Sequence, residues 1–595
     1  MYAERLQKLR AEMKKRGITC YLIPTADFHE SEYVGDYFKA REYITGFTGS
    51  AGTAVVTSDE AGLWTDGRYF LQAEDQLKGH EFTLYRIGEE GVPTIPEFLR
   101  DHLSEGGVLG FDGRVINLEY YESLVSLADA KGAGIASGED LTDLIWEDRP
   151  ALSCRPVFAL EEKYTGKSAA EKIGELRGIM REKGAKAHLL TSLPDIAWLL
   201  NLRGDDVAHS PVILSYLALS ESECLWFVQE KALSPAVRDA LASAGVGVRP
   251  YGSFYDYIAS LPAGIPVLLD PGTVNSRIAS SLPKDAKLIR GKNPTALLKA
   301  VKNPVEIENT RRAHLKDAVA VTKFMIWLKN NVGKIPMTEI SAADRLEAFR
   351  RENEGFLELS FSTIAGYGPH GAIIHYGATP ESNLSLAPEG LLLVDSGAHY
   401  LEGTTDITRT FALGPVTGRM RRDFTLVLIG HLNLASARFL HGAGGYNLDV
   451  LARLPLWEEG LDYKHGTGHG VGHILSVHEG PNAFRWKSVP GKAETVLEEG
   501  MITSDEPGYY LENEYGIRIE SELLCRKAEK NEFGQFMRFE NLTYVPIDLD
   551  AVEPSLLSFR DKERLNAYHA MVYEKVSPFL SDEEKGYLKH YTRAI

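Results

Sequence analysis

Acidic residues set inside apolar and glycine-rich segments are the feature that most constrains this 595-residue chain. Between Asp395 and Glu520 run VDSGAHYLEGTTDITRT with Asp395 and Asp406, HGTGHGVGHILSVHEGP with His465, His469 and His478, MITSDEPGYY with Glu506, and GIRIESELL with Glu520. LLLVDSG and TTDITRTFAL read as strands joined through Tyr400 to Gly403, and a hairpin centred there is expected to set Asp395 opposite Asp406. Directly opposed residues on antiparallel strands have Cα atoms about 4.5–5.5 Å apart. Two carboxylates that close, beside apolar residues, repel unless a cation lies between them or one takes a proton. Taken singly, Asp395-Ser396-Gly397 is an ordinary Asx turn; the recurrence of such acids points to metal.

Asp395, Asp406, Glu506 and Glu520 with a neutral His469 supply four negative charges, which balance two divalent ions. A hydroxide bridging two ions is a nucleophile at neutral pH, so the chemistry implied is metal-assisted hydrolysis. Oxygen-rich ligation with one imidazole suits Mn, Co, Zn or Mg rather than a thiolate-loving ion. HGTGHGVG lacks both GxGxxG and the lysine of a phosphate loop, and its glycines read instead as letting backbone approach the metals. No GxSxG elbow and no HExxH helix is present. Arg518, two positions before Glu520 and so on the same strand face, is expected to pair with a metal-ligating carboxylate and hold it in place.

These motifs resemble those of the creatinase and methionine aminopeptidase superfamily, the pita-bread metallopeptidases, in which Asp, Asp, His, Glu and Glu occur in this order. Within it, HGTGHGVGHILSVHEGP, DEPGYY and GIRIE resemble the Xaa-Pro aminopeptidases, aminopeptidase P. SEYVGDYFKAREYITGFTGSAGTAVVT, LWTDGRYFLQAEDQL, AWLLNLRGDDVAHSPV and RRAHLKDAVAVTKFMIWL are similar to the long, three-domain, cytosolic form, so the resemblance covers nearly the whole chain. It implies Asp395, Asp406, His469, Glu506 and Glu520 as ligands of two divalent ions, Mn foremost, with Co or Zn as alternatives. It also implies His375 and His478 as catalytic groups that contact substrate and steady the charged intermediate, and His465 near a proline pocket. Glu506 would shuttle a proton, and Tyr510 would hydrogen-bond near the substrate. The implied reaction is removal of an N-terminal residue from peptides with proline at position 2, by a homodimer. A prolidase acting on Xaa-Pro dipeptides, or a non-catalytic pita-bread binding module, are the alternatives. His370, His399 and His473 match no role.

The implied architecture is two related creatinase-like α/β domains followed by an α+β pita-bread catalytic domain with a curved antiparallel sheet. Boundaries are placed at 1–155, 156–303, 304–540 and, for a helical C-terminal extension, 541–595. Three or four domains is also what the length suggests. LRAEMKKRG, from Leu9 to Gly17, recurs as LRGIMREKG, from Leu176 to Gly184, each copy followed by an apolar strand, which independently suggests duplication.

The formal net charge of −18 argues against nucleic acid or an anionic membrane as partner. Cys20, Cys154, Cys224 and Cys525 show no paired spacing. The N-terminus has no signal-like apolar core, and no apolar run is long enough to span a bilayer, so the chain reads as soluble and cytoplasmic. FTGSAGTAVV carries no catalytic grouping, and the N-terminal half is expected to shape substrate access and assembly. Trp457, just before the histidine motif, reads equally as an exposed interface anchor or a core residue.

Overall fold

A computed structural model describes residues 2–488 and 494–595. The chain divides into two compact units, residues 1–162 with 167–296, and residues 163–166 with 297–595.

The first unit holds two six-stranded sheets built to one plan. The helix Tyr2–Lys15 buries Leu6, Leu9 and Met13 and is followed by Gly17 at φ 67°, a left-handed position that glycine takes without strain. Its counterpart Ala169–Glu182 buries Ile173, Leu176 and Met180 and is followed by Gly184 at φ 71°. The strands after them, Cys20–Pro24 and Ala187–Leu190, start at the same distance beyond these glycines and lie at the same place in their sheets. Each pairs antiparallel on one side, with Thr53–Thr57 or Ser215–Ser220, and parallel on the other, with Val108–Gly110 or Pro266–Leu269. The two halves meet through polar side chains: Asn275 Nδ2 donates to Phe28 O at 2.9 Å, and His29 lies 3.1 Å from Thr191 O and 2.9 Å from the Tyr251 hydroxyl.

The second unit opens with the helix Pro304–Asn331. Asn303 caps it, its side chain accepting from the amides of Val305 and Glu306, with Pro304 in the first turn where a missing N–H costs nothing. The helix packs with the C-terminal helices Phe559–Val576 and Asp582–Tyr591 in one apolar core containing Phe324, Leu328, Phe411, Leu565, Val572 and Leu588. Antiparallel sheets carry the acidic motifs: Ile364–Tyr367, Leu391–Ser396 and Ile407–Ala412 form one, and Arg438–Leu440, Gly534–Asn541, Ser521–Asn531 and Ile502–Asp505 another. Glu520 N donates to Thr408 O at 3.1 Å and links the two sheets.

The expected pairing of Asp395 with Asp406 is corrected here. Tyr400 pairs with Gly403, the turn falls on Leu401-Glu402, and Asp395 therefore lies opposite Thr408. Tyr400 stays in the strand because its ring is fully buried and its hydroxyl donates to Asp317 at 3.0 Å. Asp406, two positions from Thr408, shares the face of Asp395 as a diagonal neighbour, at the wider Cα spacing of about 7–8 Å typical of such positions.

The glycines of HGTGHGVG allow a second kind of close approach. A Cβ on Gly468 would come 1.7 Å from Ser504 O, and one on Gly470 2.0 Å from Glu479 O. They let backbone pack on backbone, so that the histidine loop lies against the strand Ile502–Asp505. Among the described residues no helix is long and apolar enough to cross a membrane.

Candidate metal centre

Asp406, His469 and Glu520 offer ligand atoms that all lie within 4.8 Å of one another. His469 Nδ1 is 3.0 Å from Gly470 O, so the ring donates there and turns Nε2 toward the acids. That Nε2 is 3.4 Å from Asp406 Oδ2 and 3.5 Å from Glu506 Oε1. Both are long for a hydrogen bond and suit two atoms sharing an ion about 2.1 Å from each. Glu506 follows the strand Ile502–Asp505; its amide donates to Thr467 O at 2.8 Å and its Oε1 lies 3.3 Å from the Ser504 hydroxyl.

Asp395 enters through Arg518. Arg518 Nη2 donates to Asp395 Oδ2 at 2.6 Å, Nε to the Thr408 hydroxyl at 3.2 Å, and Nη1 to the Tyr510 hydroxyl at 2.8 Å. The Thr408 hydroxyl in turn donates to Glu520 Oε2 at 2.7 Å. Asp395 Oδ1 is buried with no hydrogen-bond partner, the orphaned acceptor that a cation would satisfy.

The electrostatics agree with a site built for positive charge. Burial lifts the Glu520 carboxyl well above its ordinary value, and Asp406, Glu506 and Asp395 push it further. Burial raises Asp395 too, although Arg518 pulls it down. Burial, opposed by His469 and reinforced by Asp406, moves Glu506 to about 7. Burial resists charge on His469, yet Asp406 and Glu506 lift it to about 10. Protons are held because these acids cannot all ionise side by side. The donor set, four carboxylates and one imidazole with an orphaned oxygen, fits two divalent ions.

The remaining sequence-proposed residues surround this cluster. His478 sets its ring perpendicular to that of His469, with centroids 4.2 Å apart. His375 is half-buried and follows Ile374, whose carbonyl faces Arg518 Nη2 at 3.5 Å. This segment is seated by Gly371 against Gly516, where a Cβ on Gly516 would come 1.6 Å from Gly371 O. His465 Nε2 lies 2.8 Å from the Tyr510 hydroxyl, and its Nδ1 2.7 Å from Gly466 O. Because Arg518 donates to Tyr510, the hydroxyl hydrogen points to His465, and burial pushes the Tyr510 phenol up to about 12 despite Arg518. A hydrogen-bonded line thus runs from Asp395 through Arg518 and Tyr510 to His465.

Sequence reasoning missed three residues here. Thr408 joins Glu520 to Arg518, as above. Glu522 Oε1 accepts from the Asp406 amide at 2.8 Å, and its Oε2 lies 3.0 Å from His314 Nε2. Two glutamates two apart in IESE would place Glu522 on the face of Glu520; nothing local marks His314, which lies far back in the chain on the helix Pro304–Asn331.

Family models define the class. The Creatinase/Prolidase N-terminal domain matches at residues 5–149 and again at 148–306, Metallopeptidase family M24 at 308–527, and the C-terminal region of peptidase M24 at 535–595. Aminopeptidase P2 of Arabidopsis thaliana is 43% identical, over 95% of this chain and 84% of that protein. The probable Xaa-Pro aminopeptidase P of Laccaria bicolor is 40% identical over 98% and 91%. The crystal structure of the X-prolyl aminopeptidase of Caenorhabditis elegans, described as a cytosolic enzyme with a di-nuclear active site, matches with a TM-score of 0.95 at 34% identity over 100% of both chains. The chain belongs to metallopeptidase family M24, in the group of the Xaa-Pro aminopeptidases P.

Proposed function

We propose that this protein is a metal-dependent aminopeptidase that hydrolyses the bond between an N-terminal residue and a following proline. The observation that carries the reading is the gathering of Asp406, His469 and Glu520 around one point, with Asp395 and Glu506 close enough to push the Glu520 carboxyl up. Two divalent ions held by these five residues supply Lewis acidity and water made nucleophilic at neutral pH; manganese is the proposed metal, with cobalt or zinc as alternatives.

The chain's own residues do the rest. His375 and His478 face the scissile carbonyl and donate to the oxygen as negative charge develops on it. Glu506 takes a proton from the attacking water and passes it to the leaving proline nitrogen. That nitrogen is tertiary in the substrate and has no hydrogen to offer the enzyme, so a proton must be delivered. His465, held by Tyr510, lines the proline side. Arg518 fixes Asp395 and, through Thr408, Glu520.

Cleavage of Arg-Pro-Pro and of Arg-Pro by metal-stripped protein, with and without added manganese, tests the reading. Manganese-dependent release of arginine mainly from the tripeptide supports it. Cleavage of the dipeptide alone would make the protein a prolidase, and cleavage of neither would leave a binding module.

The proposed assembly is a cytosolic homodimer. Val450, Leu454 and Trp457 form an exposed apolar stripe on the helix Val450–Trp457, with Trp486 edge-on to Trp457 at 6.0 Å, a surface that favours association. Sedimentation should give twice 65.9 kDa; the mass of one chain at micromolar concentration would exclude it.

A further inference from the structure

Two lysines and a glutamate with no part in the proposed chemistry are buried together behind the histidine loop. Lys302 Nζ lies 2.9 Å from Glu479 Oε1 and Lys299 Nζ 3.3 Å from Oε2, with every side chain at most 7% exposed. One lysine would neutralise Glu479. A second buried lysine on the same carboxylate adds a further desolvation cost, so neutralisation alone does not account for it.

The connections of these residues lead to the metal centre. Glu479 N donates to Gly470 O at 2.7 Å, and the same carbonyl is the acceptor for His469 Nδ1. A Cβ on Gly472 would come 2.9 Å from Glu479 Oε2, so the loop after His469 closes on the Glu479 carboxylate. Glu479 directly follows His478, whose ring lies against His469. Lys302 N also donates to Gly500 O at 3.0 Å, where the chain enters the strand leading to Glu506.

We propose that Lys299, Glu479 and Lys302 form a positioning device: by clamping Glu479 they fix the Gly470 carbonyl that orients His469 and set His478 beside it. The three residues touch neither substrate nor ion. The proposal rests on the reading of His469 as a metal ligand and His478 as a substrate-facing group.

The test uses full-length Lys302→Met, with Lys299→Met as a second variant; each leaves a neutral lysine–glutamate pair, so the fold should persist. Manganese binding by calorimetry, kcat and KM on Arg-Pro-Pro at saturating manganese, and thermal melting of the metal-free protein are compared with wild type. Groups that support a metal ligand from behind are worth about 10–100-fold in affinity or activity. The expected result is therefore about a tenfold weaker manganese Kd and at least about a tenfold lower kcat, with KM and melting little changed and recovery in Lys302→Arg. Unchanged Kd and kcat in both variants, or losses that follow the melting temperature alone, would overturn it. Wild-type and Asp406→Ala isotherms run alongside separate this failure from that of the metal reading, which fails if the two bind manganese equally.

Discussion

Two kinds of buried acid occupy the same catalytic unit, and they are treated in opposite ways. Asp317 takes both arms of Arg350, at 2.7 and 3.0 Å; Asp449 meets Arg453 at 2.7 Å, and Asp548 meets Lys329 at 2.6 Å. Each of these acids meets a protein cation directly, Lys329 also reaching Asp550 and Arg453 also reaching Asp462. In the metal centre four carboxylates share one guanidinium, Arg518, and one imidazole, His469. Buried charge persists only when it is compensated, so where the chain supplies no counter-charge something outside it must. The place where compensation from within falls short marks the functional site.

The largest effect that sharpens this contrast comes from Asp406→Asn. Ions at such sites contribute several kcal/mol of transition-state stabilisation, and about 4 kcal/mol is a thousandfold in rate. Turnover of Arg-Pro-Pro should therefore fall by about a thousandfold or more, and calorimetry should show manganese binding lost. Stability of the metal-free protein should move the other way. Asp406 raises both Asp395 and Glu520, and removing one of several crowded like charges relieves the others. A metal-free variant that melts below metal-free wild type near pH 8 would break the claim that these acids are under-compensated.

What was legible in the sequence was local. The acids of the centre stood out because each sits in its own apolar or glycine-rich motif. The duplicated domains were visible because helix, glycine and strand recur together in the same order and spacing, which the strands Cys20–Pro24 and Ala187–Leu190 keep. The hairpin register followed from the position of its turn. A loop centred on Tyr400 to Gly403 sets Asp395 opposite Thr408 whether it has two residues or four, so the expected partner Asp406 was two positions off. The glycines of the histidine loop were visible as glycines, but their close approach to the backbone of Ser504 and Glu479 was not. Thr408 and Glu520, His314 and Glu522, and Lys302 and Glu479 are partners in space drawn from remote parts of the chain. A single sequence carries no signal for pairs of that kind.

The compensated side of the comparison is tested by Lys329→Met. Asp548 Oδ2 lies 2.6 Å from Lys329 Nζ and accepts from the Ala412 amide at 2.8 Å, and the carboxylate is fully buried. Burial already holds the Asp548 carboxyl above its ordinary value, with Lys329 pulling it down; loss of the lysine raises it further. An acid whose folded pKa exceeds its unfolded value of about 3.9 costs stability above that pH, and the cost grows until the folded pKa is passed. Breaking a buried pair from one side costs about 3–5 kcal/mol. Denaturant unfolding at pH 8 should therefore show a loss of that size, shrinking as the pH falls through the raised folded pKa, where Asp548 can escape by taking a proton. Manganese affinity and kcat/KM of the folded fraction should stay within about twofold of wild type, since additivity holds for well-separated groups. If kcat/KM fell with the stability, Asp548 would belong to the functional set, and the line between compensated and uncompensated acids would not separate structure from catalysis.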